Sequence, residues 1–277
     1  MKQFSVVTVI LNDACGFNKT ARSLIDQTSC DWEWVVIDGA SDDKTLRQID
    51  EFSKKIDYFV SERDNGIYHA MNKGINACNG KYIIFLNAGD ILADSRCLEI
   101  IDGCIQAEEP VDVILGGTLQ NFDGMMLYRS PKNMSWIRKG LPAFHQSTIY
   151  RLELLKKRNY NLNYKLLADY EYLAHLCLSG VSALYIDRPI SIFSVGGASY
   201  KQFFLKFHEL FDIKKNVLKL PFITAYFSSL FRIVNSLIAF AVNKYMKYFK
   251  FENDIDNKVI EKDFLIKKEF YSYNKED

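Results

Sequence analysis

"KYIIFLNAGD", residues 81–90, is an apolar run that stops abruptly at Asn87, passes through two small residues and ends on an acid, Asp90. Such a run, apolar on both faces, reads as a strand covered on both sides. The pattern recurs upstream. Phe4–Leu11 is a β-rich run ending at Asn12-Asp13, and Trp34–Ile37 ends at "DGASDD", residues 38–43. Asp57–Ser61 is a short strand running into "SERDNG", residues 61–66. Helical spacing fills the gaps. Asn18–Gln27 carries Leu24 and Ile25, Asp43–Lys54 carries Leu46, Ile49 and Phe52, and Ile67–Cys78 carries Ala70, Met71 and Ile75. Strands alternating with helices predict a mainly parallel central sheet flanked by helices, an α/β fold. In such sheets ligands bind outside the carboxyl ends of the strands. Asp, Asn and Gly are ordinary turn residues when taken singly. Here all four strand ends bring polar groups to that one edge.

The chain has 277 residues, enough for one large domain or a domain with an appendage, and a net charge of +1. That balance excludes a generally basic nucleic-acid binder. The charge is uneven, because residues 201–250 hold nine Lys/Arg and two Asp/Glu and so carry +7. Six cysteines, at 15, 30, 78, 97, 104 and 177, form no CxxC pair. They read as small buried thiols in a reducing compartment. The N-terminal apolar run is too short for a membrane span and lacks a small-residue cleavage site, so it reads as a first strand. After that strand stands "NDACGFNKT", residues 12–20, with a single glycine. A dinucleotide-binding GxGxxG is therefore excluded, and no GxxxxGK[ST] phosphate loop occurs.

"SVVTVILND", "WEWVVIDGASDDKT", "SERDNGIYHAMNKGINACNGKYIIFLNAGD", "FHQSTIYR" and "LLADYEYLAHL" together resemble the family 2 glycosyltransferases of the GT-A fold. The branch most similar builds bacterial exopolysaccharide, capsule or O-antigen. The resemblance spans about residues 3–198. It implies inverting transfer of a sugar from a nucleoside-diphosphate donor, most often a UDP-sugar, with Mg²⁺ or Mn²⁺. It also implies a glycan or polyprenyl-linked acceptor and a place in the cytoplasm, peripheral at the inner face of the cell membrane. Asp90 matches the metal ligand of the family. Many relatives have an acid-rich D-x-D-D there, whereas here Asn87 and Gly89 replace two acids, so Asn87 is left to contact ribose or a metal-bound water. Asp38 and Asn12 match nucleotide-contacting positions, and Asp64 and Tyr68 fall in the segment that shapes the donor pocket.

Inverting transfer needs one carboxylate to take the acceptor hydroxyl proton. The family places it at the start of a helix, which matches Asp169 in "LLADYEY". Glu171 is the nearby rival, but it points about 200° away on a helix. His145 matches a segment beside the acceptor or leaving group. "FSVGGAS", residues 193–199, resembles a closing flap.

The expected organisation is a glycosyltransferase domain over 1–199, a basic amphipathic helical extension over 200–250 and a charged tail over 251–277. Phe203, Phe204, Phe207, Leu210, Phe211 and Val217 share one expected helical face. Arg232 and Pro221 interrupt the apolar stretch that follows. The extension is thus expected to lie on an anionic membrane surface, or else to form a packing or homodimer interface. Two other function classes remain open from the residues: a non-catalytic sugar-nucleotide or polysaccharide-binding protein, and a nucleotidyltransferase.

Overall fold

The computed structural model describes residues 1–108, 110–122, 124–194, 202–246 and 266–270. Strand β1 (Phe4–Ile10) is buried along its whole length. It lies between β2 (Trp32–Asp38) and β4 (Tyr82–Phe85), parallel to both, and β3 (Tyr58–Ser61) continues the parallel ladder beyond β2. Helices α1 (Ala14–Ile25), α2 (Thr45–Glu51) and α3 (Ile67–Ala77) make the crossovers. Alternation along β1 feeds two cores. Val7 and Val9 pack with Met71 and Ile75 of α3, while Val6 and Ile10 pack with Phe17 and Leu24 of α1. A Cβ at Gly74 would fall 2.5 Å from Val7 Cγ1, so glycine lets α3 sit directly on the sheet.

The second half adds β5 (Ile91–Leu92), α4 (Cys97–Glu108), β6 (Val113–Phe122), β7 (Met125–Arg129), β8 (Thr148–Arg151), α5 (Leu152–Lys157), α6 (Ala168–Ser179) and β9 (Ser182–Ser194). With β10 (Ile266–Phe270), the strand order is β10-β9-β6-β8-β4-β1-β2-β3, with β5 on β9 and β7 on β6. β8 runs antiparallel to both β4 and β6, while β6 and β9 are parallel. This reversal matters for the site. Ile84 pairs with Ile149, so the residues just before β8 lie beside those just after β4.

Beyond residue 200, α7 (Phe203–Asp212) and α8 (Phe222–Met246) are joined through a π-helical turn, Ile213–Val217. Their rings interlock, Phe207 with Tyr226 at 5.5 Å and Phe211 with Phe222 at 5.4 Å. The structure adds detail to the expected extension and tail. The aromatic face is divided, because Phe207 and Phe211 are used between the helices while Phe204 is 93% exposed. Lys214 is not a surface cation; it is fully buried and donates to Ser228 Oγ at 3.0 Å. Within the expected charged tail, residues 266–270 form a strand on β9. The cysteine expectation is also only partly right, since Cys15 and Cys30 are exposed. Of the expected flap, residues 195–199 lie outside the described residues.

Candidate active site

A cavity of about 900 Å³ opens at the carboxyl edge of β1 and β4, and Tyr68, Asn87, Asp90, His145 and Asp169 all contribute to its wall. The loop carrying Asp90 is held from two sides. Leu86 N–H donates to the Val7 carbonyl and Ala88 N–H to the Val9 carbonyl, so the loop continues the parallel pairing with β1. The Thr20 hydroxyl of α1 donates to the Asp90 carbonyl at 2.7 Å and accepts from Gly89 N–H at 3.0 Å. Gly89 has φ +94°, a conformation that favours glycine and turns Asp90 into the cavity.

The sheet reversal at β8 brings "FHQS" to the same place. Gln146 Nε2 donates to Asp90 Oδ1 at 3.3 Å. His145 stacks on Phe85 with centroids 5.1 Å apart, and its Nδ1 lies 4.0 Å from Asp169 Oδ2. Burial lowers the His145 pKa more than the Asp169 charge raises it, which favours the neutral imidazole. Neither ring nitrogen has a hydrogen-bond partner within the protein, nor does the buried Asn87 Oδ1. Buried polar atoms left unpaired are costly. Three such atoms on the wall of one cavity are what a polar ligand would satisfy.

Asp169 sits in the first turn of α6, 7% exposed. The Tyr68 hydroxyl lies 2.8 Å from Asp169 Oδ1 and 3.1 Å from the Leu166 carbonyl. Burial and the Asp169 charge push the Tyr68 pKa far up, so the phenol remains a donor. The segment entering α6 is fixed by Glu209 of α7. Its carboxylate accepts from the backbone N–H groups of Lys165, Leu166 and Leu167, at 2.6, 3.0 and 2.9 Å. Glu171, the rival, is buried elsewhere and engaged by Arg158 at 2.6 Å and His175 at 3.2 Å.

Asn12, Asp38 and Asp64 stand at the same edge of the sheet but outside the wall of this cavity. Fully buried Asp38 accepts from Ser41 N–H, from the Ser41 hydroxyl and from the Ser61 hydroxyl. Asn12 Oδ1 accepts from Asp42 N–H at 2.9 Å, and Asp64 Oδ1 from Gly66 N–H at 2.8 Å. These three therefore shape the loops at the ends of β1, β2 and β3. Sequence reasoning missed Thr20, Glu209, Lys206 and Arg232. The last two also line the cavity, from α7 and α8. Nothing in the spacing of the extension marked which of its cations would turn inward.

A mixed sheet with this strand order, in which β5, β7, β8 and β10 run against the other strands, and with carboxylates gathered at the carboxyl edge of its parallel half, matches the GT-A glycosyltransferase fold. Residues 5–191 match the family model described as Glycosyl transferase family 2, and the chain belongs to that family. The PGL/p-HBAD biosynthesis glycosyltransferase of Mycobacterium tuberculosis is 29% identical over 173 residues, covering 61% of this chain and 67% of the relative. Among solved structures, S. aureus TarS 1-349 in complex with UDP-GlcNAc superposes with a TM-score of 0.60 at 19% identity, covering 87% of this chain and 73% of that one. The mannosyltransferase PcManGT from Pyrobaculum calidifontis, in complex with GDP-Man and Mn²⁺, gives 0.62 at 14% identity, covering 87% and 75%. A longer TarS chain is matched over 41% of its length.

Burial raises the Asp90 pKa to about 7, with hydrogen bonds from Asn87 and Gln146 offsetting part of the effect. The folded protein therefore keeps a proton that the unfolded chain releases near pH 4. The resulting stability is fully present below about pH 4 and is lost as pH rises through about 7. Thermal melts in metal-free buffer should show the wild type losing stability from about pH 5 to about pH 8, with a shallower fall in Asp90→Asn. Equal slopes in the two proteins would show that Asp90 is not titrating in a desolvated site.

Proposed function

We propose that this protein is an inverting glycosyltransferase that moves a hexosyl or N-acetylhexosaminyl group from a nucleoside-diphosphate sugar, a UDP-sugar, to a glycan or polyprenyl-linked glycan in cell-surface polysaccharide synthesis. The observation that carries the reading is the pair Asp90 and Asp169 on one cavity wall, with Asp169 gripped by Tyr68. Asp169 takes the proton of the acceptor hydroxyl as that oxygen attacks the anomeric carbon. The new bond forms on the face opposite the departing diphosphate, so the anomeric configuration inverts. Neutral His145, with both ring nitrogens unpartnered beside Asp169, is placed to hold an acceptor or sugar hydroxyl. The Asn12, Asp38 and Asp64 loops adjoin Asp13 and Gly66 of the cavity wall, which suits them to the nucleoside end of the donor.

Among the described residues, no group of three or more His, Cys, Asp or Glu side chains forms a ready metal site. The fit to a hard cation rests instead on the Asp90 carboxylate and the unpaired Asn87 side-chain oxygen, Oδ1, in the same loop. Mg²⁺ commonly keeps several waters and takes one or two protein carboxylates together with substrate phosphates. Asp90 and Asn87 would hold Mg²⁺ or Mn²⁺, which would neutralise charge on the diphosphate. Neighbours of the same fold in complex with UDP-GlcNAc, and with GDP-Man and Mn²⁺, support both the donor class and the metal.

The substitution Asp169→Asn keeps the size and the Tyr68 contact but cannot take a proton. Turnover should fall by about 10²–10⁴-fold, while donor affinity by calorimetry stays near wild type. Unchanged turnover would remove Asp169 from the role of base, and a non-catalytic binding protein would show no turnover in either form.

Among the described residues no helix is long and apolar enough to cross a membrane. The extension nevertheless exposes Phe204, Ile223, Phe227 and Phe231. A peripheral contact with the anionic inner leaflet accounts for these apolar groups on a basic stretch. Replacing Phe227 and Phe231 by Ser should reduce flotation with anionic liposomes, and high salt should weaken the wild-type interaction. Flotation indifferent to both, together with a dimer in solution, would assign the face to self-association.

A further inference from the structure

We propose that Glu209 and Asp212 on α7 are positioning residues for the base, so that turnover requires α7 to be docked beside α6. The inference rests on the glycosyltransferase reading with Asp169 as base. It begins in the composition of the extension. Residues 201–250 contain only two acids, Glu209 and Asp212, among nine Lys and Arg. They stand three apart on α7, on one face of the helix, and both are used on the residues that lead into α6. Glu209, 3% exposed, accepts the N–H of Lys165 on Oε1 and those of Leu166 and Leu167 on Oε2. The Asp212 carboxylate accepts from the Tyr164 hydroxyl at 2.6 Å. Leu210 and Ile213 are buried in the same core as Tyr170 and Leu173 of α6, so both acids are carried on a packed element.

The hold reaches the base through one peptide unit. Leu166 gives its N–H to Glu209, and its carbonyl lies 3.1 Å from the Tyr68 hydroxyl. That hydroxyl also lies 2.8 Å from Asp169 Oδ1. A phenol carries one proton, so the Leu166 carbonyl and the Asp169 carboxylate share a single donor. Where the Leu166 carbonyl stands therefore governs how that donor is divided. The N-cap residue of α6 is Leu167, which has no side-chain oxygen to cap the helix, so a carboxylate from α7 fixes this end instead. Lys165, Leu166 and Leu167 line the cavity beside Asp169, so a shift of this segment is felt where the acceptor would sit. Displacing a reacting group by about 1 Å can cost roughly a hundred-fold in rate. Both acids lie beyond residue 191, where the match to the family model ends, so the hold belongs to the extension.

The test uses the full chain with UDP-glucose and UDP-GlcNAc as probe donors, water as acceptor and UDP release as the readout. Glu209→Gln is nearly isosteric but can accept at only one end. It should lower kcat by about ten- to a hundred-fold and leave the donor KM and the calorimetric affinity for UDP near wild type. Hydrogen exchange at the amides of Lys165, Leu166 and Leu167 should quicken by about ten- to a hundred-fold, the scale of a hydrogen bond to a charged group. Glu209→Asp, which restores the charge on a shorter stem, should recover part of the turnover. If Glu209→Gln does not fold, Tyr164→Phe carries the test, because it removes only the bond to Asp212. The same split is then expected with a smaller factor. Faster exchange at those amides with kcat unchanged would leave the two acids a structural role and overturn the proposal. So would a rise in donor KM that accounts for the whole loss, since the segment would then serve the donor. Wild-type turnover in Asp169→Asn would remove the base, and the inference with it. A crippled Asp169→Asn beside an unaffected Glu209→Gln would sink the inference alone.

Discussion

The hydrogen bond from the Tyr68 hydroxyl to the Asp169 carboxylate joins the two halves of the molecule at the point where chemistry is expected. Tyr68 belongs to α3, in the parallel half, and Asp169 to α6, in the second half, with 2.8 Å between the oxygens. A carboxylate withdrawn from water is costly unless donors compensate it. The phenol supplies that donor, and its own burial keeps it protonated. The aromatic groups around it, Tyr68 with Tyr160 at 5.3 Å and Phe85 with Tyr160 at 5.7 Å, leave the hydroxyl little freedom to turn away. The Asp169 carboxylate is thereby held by a contact that spans about a hundred residues of sequence, so its position depends on the whole fold.

The direction of the strands does the rest. Because β8 runs against β4, the chain segment before β8 reaches the edge where β4 ends, and Gln146 meets Asp90. The extension then closes the arrangement. Glu209 holds three consecutive N–H groups ahead of α6, and its helix neighbours bring Lys206 and Arg232 into the wall. Residues expected to form a separate appendage therefore share a surface with the site.

What the sequence made legible follows from how each element is buried. Strands β1, β2 and β4 are buried on both faces, so their places in the chain could be read within a residue or two, and the short exposed β3 was legible from its β-rich residues. Their polar ends led directly to Asp90. Asp169 was legible only through its position in a motif. Nine of the twelve residues of α6 are buried, so the helix lacks the amphipathic stripe that would mark an inward face. Asp38 was legible as an acid at a strand end, but its three hydrogen bonds to Ser41 and the Ser61 hydroxyl could not be foreseen, since they depend on how β2 and β3 align. The inward turn of Lys206, Lys214 and Arg232 was hidden for a similar reason. Lysines and arginines on a basic helix usually face solvent, and only the packing of α7 on α8 and on the α6 entrance decides otherwise.

An account in which Asp169 acts as a single base, with the diphosphate departing on the opposite side, fixes the stereochemistry of transfer. Proton NMR of the first-formed sugar, released when the enzyme turns over an α-linked UDP-sugar with water or a simple alcohol as acceptor, reads that stereochemistry directly. The β-anomer should form first, and Asp169→Asn should slow its formation by about 10²–10⁴-fold. Initial formation of the α-anomer would mean retention, and would contradict the role given to Asp169.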